Sequence, residues 1–503
     1  MDEERIPILV ASGQFSLNSV QADGPQNSYD LLSVALDRLV EDAGIPAAKL
    51  ASAIDVIACP QSLSAPPGGL PAATALAIGA KPSRTFYSTT GGNTPQWFVN
   101  QYATSIARGE MQAVLLAGLE MLKTSAQSNM DSSYLARTRE IVSPKLIGDT
   151  RTGTNAHEVA HGLSMPVQVY PLFENALRAH YGESIAEHQN QIGLLYEQFS
   201  QIASRNPHAW FPQGMSKEEI IQVTEKNRYI GFPYTKFMNP IIGVNQAAAC
   251  LLTSVGVAKR LGIHPDNWIS PVGVGDCHDH WYPSERANFY SSPAIHLAAR
   301  NALGMAQCSI DDIDYFDLYS CFPSAIQIAR DEIGLSKMDD RALTVTGGLR
   351  FAGGPGNNYP MHSIATMMNV LRADPQAKGL VSGLGWNITK HSLCIYSHYS
   401  SRSRSHLLTN SAEDLQSKVD ALERIMVDPQ PSGNGTVETY TLLFDRLGQP
   451  KQGVIVGRLQ NGQRFLANTE ESEDIFSNMM QEEIVGLKGT VKSGDAANKF
   501  YFA

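Results

Sequence analysis

Short apolar runs alternate with stretches of helical periodicity along the first 119 residues. Residues 8–10, 54–58 and 113–119 are apolar runs of the kind that predicts strands. Residues 29–43 and a stretch that begins near Pro95 have the spacing of amphipathic helices. Strands that are bounded by glycine and separated by helices favour βαβ units. The pattern therefore predicts a mostly parallel, buried sheet.

The same alternation returns after a long interruption. Between residues 120 and 238 the strand signal fades, and helical spacing at residues 170–181 and 185–204 predicts an inserted, helical loop domain. The second group of predicted strands and helices comprises residues 245–255, 269–274, 292–303, 313–318, 323–333 and 379–396. The predicted units are a first α/β half (1–119 and 239–258), the loop domain (120–238), a second half (259–403) and a C-terminal domain (404–503).

The C-terminal region has a different composition. A polar, basic segment that contains Arg402, Arg404 and His406 is typical of a solvated tether. Beyond it, residues 437–466 alternate in the manner of strands, with turn sequences at 447–449 and 461–463. These features predict a separate, small all-β domain that resembles a barrel.

Charge and composition narrow the classes of partner. The 503 residues carry a formal net charge of −10 and a pI near 5.7, so we expect no basic surface for nucleic acid or an anionic membrane. No apolar run reaches the ~18 residues that a membrane span needs, and the acidic N-terminus has the wrong polarity for a signal peptide. Six cysteines without CxxC spacing favour a reduced, cytoplasmic protein.

Three segments combine glycine or small polar residues with a predicted strand-to-helix junction. They are residues 88–96, 317–325 and 346–362. At such junctions the backbone can approach a ligand closely, and N–H groups at the start of a helix can bind an anion or an oxyanion. These segments are therefore the candidate ligand-binding turns.

The order of these segments resembles the thiolase superfamily. Gly347-Gly348 precedes Gly353-Gly354-Pro355, and a closing strand runs through residues 382–385. The chain is most similar to the sterol-carrier-protein thiolases and to bacterial thiolase-like proteins described as acetyl-CoA acetyltransferases, over residues 5–400. The resemblance implies two βαβ halves in a layered α-β-α-β-α core, with the loop domain and the C-terminal β domain as additions.

The same resemblance implies acyl transfer in lipid metabolism. Coenzyme A would be a substrate or ligand rather than a bound cofactor, and the partner would be a small acyl-CoA. The resemblance allows a homodimer or a monomer, because family cores usually pair through strands of the first half and the extra domain could replace that pairing.

The family's reactive positions carry other residues in this chain. Counting back from Gly109 places the family's nucleophilic cysteine at Gly92 or Asn93, and the Gly-His-Pro block reads Gly353-Gly354-Pro355. Tyr319 stands where the family has His or Asn, and Ser382 stands where it has a second Cys or a His. Without a thiolate and a base, ordinary condensation or thiolysis is not expected.

Replacement candidates lie in or beside the same segments. The predicted catalytic residues are Asn93, Tyr319, His362 and His391, and the predicted ligand-binding residues are Gly92, Ser320, Gly354 and Ser382. Cys321 is interpreted as a small buried residue behind the site. The run Cys277-His278-Asp279-His280 is not expected to bind a metal, because adjacent positions on a strand point to opposite faces.

Two classes of function remain open at this stage. The first is an enzyme of the acyltransferase superfamily that acts on a CoA thioester, including a retro-aldol-type lyase. The second is a catalytically silent protein that binds CoA or a lipid thioester, or a partner subunit of another acyl-CoA enzyme.

Overall fold

The strands reproduce the order that the apolar runs predict. The computed structural model describes residues 3–18, 25, 27–124, 141–399 and 412–503; Arg402, Arg404 and His406 lie outside these residues. The strands are β1 (Pro7–Ser16), β2 (Val56–Cys59), β3 (Arg84–Ser88), β4 (Ala113–Met121), β5 (Lys145–Ile147), β6 (Tyr229–Gly231), β7 (Tyr234–Thr235), β8 (Asn245–Ser254), β9 (Ile269–His278), β10 (Tyr315–Asp317), β11 (Lys378–Gly385), β12 (Lys390–His398), β13 (Gly433–Phe444), β14 (Pro450–Leu459), β15 (Arg464–Asn468), β16 (Lys488–Lys492) and β17 (Lys499–Phe502).

The helices include every one that the periodicity predicts. They are α1 (Ser28–Ala43), α2 (Ala47–Ala53), α3 (Gly69–Ile78), α4 (Thr94–Arg108), α5 (Ala156–Ala160), α6 (Pro166–Tyr181), α7 (Ile185–Ala203), α8 (Lys217–Ile221), α9 (Val255–Leu261), α10 (Pro293–Ala306), α11 (Pro323–Glu332), α12 (Gly348–Phe351), α13 (Tyr359–Ala373), α14 (Ala412–Asp420) and α15 (Glu473–Gln481). Among the described residues, no helix is both long enough and apolar enough to cross a bilayer.

The core is a layered α/β fold with two half-sheets. The first half-sheet has the strand order β5-β3-β2-β4-β8-β1, and the second has the order β9-β12-β11-β10. The two half-sheets join where Leu9 of β1 pairs with Ile269 of β9. Helices α4 and α13 contact each other and strands of both half-sheets, while α1 packs on the first and α10 on the second. This arrangement is the layered α-β-α-β-α core that the resemblance implies.

The prediction of a mostly parallel sheet is wrong. Strand β8 pairs antiparallel with both β1 and β4, and β12 pairs antiparallel with both β11 and β9. Parallel pairing is found between β2 and its neighbours, between β10 and β11, and between β3 and β5. The apolar runs look the same in either case, because a strand that is buried on both faces is continuously apolar whichever way its neighbours point.

The C-terminal strands close into a five-stranded barrel. The ring order is β13-β14-β15-β17-β16, and both predicted turns connect barrel strands. Two details differ from the prediction of a separate all-β domain. Helix α15 belongs to this region, and β6 of the inserted segment pairs with β13, where Gly231 faces Leu443.

Two buried arginines link the barrel to the rest of the molecule. The fully buried guanidinium of Arg464 binds Glu438 within the barrel, and its Nη1 donates to the carbonyl oxygens of Ser284 (2.9 Å) and Arg286 (2.5 Å) in the second half. Arg178 of α6 forms a two-pronged ion pair with Glu483. The barrel is therefore built onto the core and the inserted segment.

Candidate functional site

The turn between β3 and α4 is the first of the three candidate segments. Strand β3 ends at Ser88, residues 89–93 form the turn, and α4 begins with Pro95 in its first turn, where the missing N–H costs no helical hydrogen bond. The N–H of Gly91 donates to Asn357 Oδ1 at 2.9 Å. This bond joins the first segment to the third.

Tyr319 occupies the space in front of Gly92. A Cβ at position 92 would collide with the hydroxyl of Tyr319 and would lie 2.7 Å from its Cζ and 2.5 Å from the carbonyl oxygen of Leu384. A side chain at position 92, including a cysteine, therefore has no room while Tyr319 keeps its place. Of the two positions that the resemblance offers for the nucleophile, Gly92 therefore has its space filled by the phenol from the second segment, and Asn93 carries an amide.

The backbone and the aromatic ring of Tyr319 each have a described neighbour. Its backbone N–H donates to Ser382 Oγ at 2.8 Å, and its ring meets that of Tyr359 edge-on, with the centroids 5.5 Å apart. Within the described part of the chain, its hydroxyl has no hydrogen-bond partner. Burial, followed by the charge of nearby Cys321, raises the pKa of Tyr319. The side chain is therefore a neutral phenol that can donate a hydrogen bond.

A buried carboxylate supports this part of the site. Asp317 accepts hydrogen bonds from the hydroxyls of Ser363 (2.6 Å), Thr346 (2.9 Å) and Tyr359 (3.1 Å). Burial raises the pKa of Asp317, and these hydroxyl donors oppose that shift. The network ties the end of β10 to the third segment and to α13, which fixes the ring that packs against Tyr319.

Asn93 follows Gly92, and only one of the two polar atoms of its side-chain amide has a hydrogen-bond partner in the described structure. Its Nδ2 donates to Ser392 Oγ at 3.2 Å, and the side chain is 8% exposed. Its Oδ1 has no donor within the described residues. A Cβ at Gly383 would lie 2.8 Å from the Cα of Asn93, so the strand that carries Ser382 runs directly against the start of α4.

Ser320 and Gly354 have backbone roles in the second and third segments. The hydroxyl of Ser320 accepts from the N–H of Leu349 at 3.1 Å, and the N–H of Gly354 donates to the carbonyl oxygen of Ile241 at 2.8 Å. The inserted segment packs on the same region, since a Cβ at Gly348 would lie 2.6 Å from the ring of Phe199. The loop domain thus covers this side of the site.

The two candidate histidines bind other groups. His362 Nδ1 lies 2.9 Å from Gln14 Oε1, and burial, aided by His208, lowers the pKa of His362 to about 3. His391 Nε2 lies 3.1 Å from Asp279 Oδ2 and 3.4 Å from Ser292 Oγ. No contact in the described structure joins either imidazole to Tyr319, so their catalytic roles stay predictions.

Lys390 was not predicted from the sequence as a site residue. Its Nζ donates to the carbonyl oxygen of Thr90 at 2.5 Å, and a Cβ at Gly91 would lie 2.5 Å from this nitrogen. The only local signal is the strand alternation that places residues 390 and 392 on one face. Lys390, Asn93 and His391 all line a cavity of about 300 Å³.

Two cysteines near the site have hydrogen-bonded thiols. Cys321 is buried, and burial raises the pKa of its thiol to about 12 despite a hydrogen bond with Tyr170. Cys277 Sγ donates to the carbonyl oxygen of Ala294 at 3.1 Å. All six cysteines are free. The site therefore offers a neutral phenol, an amine and an amide at the tip of α4.

Comparison with known proteins places this architecture in a family. Residues 414–496 match the family described as Thiolase-like protein type 1 additional C-terminal domain. A crystal structure of a monomeric SCP2-thiolase like protein type 1 from Mycobacterium smegmatis is 33% identical, covers 100% of both chains and has a TM-score of 0.85. No curated protein matches the chain.

Two more distant structures share the fold. The Ltp2-ChsH2(DUF35) aldolase is 16% identical, with a TM-score of 0.59, and the match covers 80% of this chain and 100% of that chain. The dimeric peroxisomal thiolase of Saccharomyces cerevisiae is 15% identical, with a TM-score of 0.56, over 79% and 99% of the two chains. The resemblance to the thiolase superfamily is confirmed, and the chain belongs to the SCP2-thiolase-like proteins of type 1.

Proposed function

We propose that this protein binds a CoA thioester and acts on it without forming an acyl-enzyme on a thiol. One observation carries the proposal: the hydroxyl of Tyr319 fills the space in front of Gly92, one of the two positions, with Asn93, where the thiolase resemblance would place the nucleophile. The start of α4 can still hold an oxyanion, because the N–H groups that open a helix do not depend on a thiol.

Three measurements test this proposal. Calorimetry with CoA and with a panel of acyl-CoA thioesters is expected to show binding, and an assay with acetoacetyl-CoA plus CoA is expected to show no thiolysis. Mass spectrometry of the intact protein after incubation with acetyl-CoA is expected to show no adduct on a cysteine. Absence of binding to every thioester, or an acyl group on Cys321, would contradict the proposal.

Retro-aldol cleavage is the second candidate, and a specific feature favours it. Such a reaction breaks the C2–C3 bond of a 3-hydroxyacyl thioester, releases the hydroxyl proton as the carbonyl forms and adds a proton to C2. It needs proton transfer and an enolate oxygen held by donors, and no thiol is required. Tyr319 supplies an unpartnered phenol in the described structure, and one structure with a similar fold is named an aldolase.

Variants of two tyrosines separate a lyase from a silent binding protein. Tyr319→Phe is expected to lower the release of aldehyde or ketone from 3-hydroxyacyl-CoA by about a hundredfold, the scale of a lost oxyanion-hole donor or acid–base group. Tyr102→Phe is the matched control, because the Tyr102 hydroxyl is buried without a partner on α4. Thioester binding without turnover on any substrate would favour the silent binding protein or partner subunit.

A further inference from the structure

Lys390 places an amine at the tip of α4. Its side chain starts on β12 and reaches the turn before the helix, where Nζ donates to the carbonyl oxygen of Thr90. Nζ and Asn93 Oδ1 both lie close to Gly91: a Cβ there would be 2.5 Å from the nitrogen and 2.7 Å from the oxygen. Only a glycine at position 91 leaves room for both groups.

The surroundings of the amine favour its neutral form. Within the described residues, Thr90 is the one hydrogen-bond partner of Nζ, and no carboxylate forms an ion pair with it. Burial lowers the pKa of Lys390 to about 8, and the charge of Asp149 only partly opposes this shift. A lysine with a pKa near 8 has a far larger neutral fraction near neutral pH than an ordinary lysine, and the neutral amine is a nucleophile for carbonyl carbon.

The amine opens onto a cavity with further polar groups. The cavity has a volume of about 300 Å³ and is also lined by Asn93 and Asp276. Asn93 Oδ1 is a buried acceptor without a donor in the described structure. Burial raises the pKa of Asp276 to about 7, although Ser392, Asn100 and Gln101 donate to it, so it can exchange a proton near neutral pH.

The turn that leads to Lys390 is held in an unusual conformation. Trp386 has φ +59° and Ile388 has φ +51°, the left-handed region that a β-branched residue rarely adopts. Tyr170 donates to the carbonyl oxygen of Trp386 at 2.8 Å and accepts from the N–H of Ile388 at 3.2 Å, and Arg286 donates to the carbonyl oxygen of Asn387 at 2.9 Å. Conformations of this kind persist where the surroundings determine them and cluster at functional sites.

We propose that Lys390 forms an imine with a small ketone or aldehyde in this cavity. The lone pair of Nζ adds to the carbonyl carbon, and the carbonyl oxygen takes up a proton to give a carbinolamine. Loss of that hydroxyl as water, with the remaining N–H proton, leaves the C=N bond. Asn93 Oδ1 accepts the hydrogen bond of the carbinolamine hydroxyl, and Asp276 exchanges the proton. This activity goes beyond the proposed thioester chemistry and does not require CoA.

Reductive trapping of the full chain tests the inference. The protein is incubated with acetone and sodium borohydride at pH 8, and the isopropyl-lysine that results is located by peptide mass spectrometry. At pH 8 a lysine with a pKa near 8 has about a hundredfold larger neutral fraction than an ordinary lysine, so labelling of Lys390 is expected to exceed that of the exposed Lys451 and Lys488 at least about tenfold.

Two variants make the outcome decisive. Lys390→Arg keeps a positive charge and a donor for Thr90 but cannot form an imine, so its site should show no adduct while the exposed lysines are labelled as before. Asn93→Leu removes the unpaired acceptor and is expected to slow labelling of Lys390 several-fold. Labelling of Lys390 no faster than Lys451 and Lys488 would overturn the inference and leave Lys390 as a structural link to Thr90. Calorimetry with CoA thioesters tests the proposed function independently, because thioester binding does not require an imine on Lys390.

Discussion

His188 Nε2 lies 2.5 Å from Glu174 Oε1, and both side chains are fully buried. The other ring nitrogen of His188 lies 2.7 Å from Glu183 Oε2. The carboxylate of Glu174 also accepts from the hydroxyl of Tyr234 at 2.5 Å and from Gln327 Nε2 at 2.7 Å. This cluster links α6 and α7 of the inserted segment to α11 of the second half, so its integrity holds the loop domain against the core.

Replacing His188 is expected to destabilise the fold in a pH-dependent way. Burial lowers the pKa of His188, but the hydrogen bonds and charges of Glu174 and Glu183 outweigh it, so the folded pKa is raised. The stabilisation is therefore fully present below the unfolded pKa of about 6.5 and is lost as the pH rises through the folded value. His188→Gln should cost about 3–5 kcal/mol at pH 6 and less at pH 9, measured by urea unfolding. A cost that stays constant over this range would contradict the assignment.

Filling the space at Gly92 is expected to destabilise the protein. Gly92→Ala places a methyl group against the Tyr319 hydroxyl and the Leu384 carbonyl, so overpacking should cost about 1–3 kcal/mol in urea unfolding. Gly304→Ala is the matched control, because a Cβ there meets nothing within 4 Å and the residue lies within α10, where alanine should stabilise by about 0.5–1 kcal/mol. If Gly92→Ala were as well tolerated as the control, Tyr319 would not fill that space.

Arg464 is expected to be the strongest single link between the barrel and the core. Arg464→Met removes the buried donor of two backbone carbonyls and one of the two arginines that bind Glu438, so thermal unfolding should show a loss of about 1–3 kcal/mol for each unsatisfied carbonyl. Limited proteolysis should then cleave between the barrel and the core faster than it does in the unaltered protein. Arg446→Met, at an exposed position of the turn after β13, should change stability by no more than about 0.5 kcal/mol. Equal effects of the two changes would mean that the barrel is held elsewhere.

Cys321 is expected to resist alkylation in the folded protein. Its thiol is buried with the pKa raised to about 12, whereas Cys308 is partly exposed. Treatment with iodoacetamide at pH 8, followed by peptide mass spectrometry, should find Cys308 modified well before Cys321. In urea both should react at similar rates. Rapid modification of Cys321 in the folded state would show that its thiol is reactive and would support a mechanism with an acyl-enzyme.

The helices and strands with strong periodicity could be predicted from the sequence, but the pairing of the strands with one another could not. The run at 113–119 predicts β4, and the Gly-containing turns at 447–449 and 461–463 predict two hairpins of the barrel, because these signals are local. The antiparallel pairing of β8 depends on how the chain returns after the inserted segment. The short strands β5 and β6 carry too few residues for an alternation to be read.

The candidate site was predicted in part for the same reason. The contact between Gly92 and Tyr319 joins two segments that the sequence separates by more than 200 residues, and the resemblance singled out both. Lys390 was not predicted as a site residue, because a lysine at the start of a strand is ordinarily exposed to solvent. The position of its amine at the tip of α4 depends on the turn at 386–388. The left-handed backbone angles of this turn could not be predicted from its residue types.

Strand β5 bears on where the border of the first half-sheet comes from. It pairs with β3 from within the same chain and forms the outer edge of the first half-sheet beside the turn that leads to α4. The peroxisomal thiolase with the same fold is a dimer, and the 33% identical mycobacterial protein is monomeric. Residues of one chain thus supply both the border strand and the lining of the cavity beside it, and sedimentation at decreasing protein concentration would show whether a second copy is present.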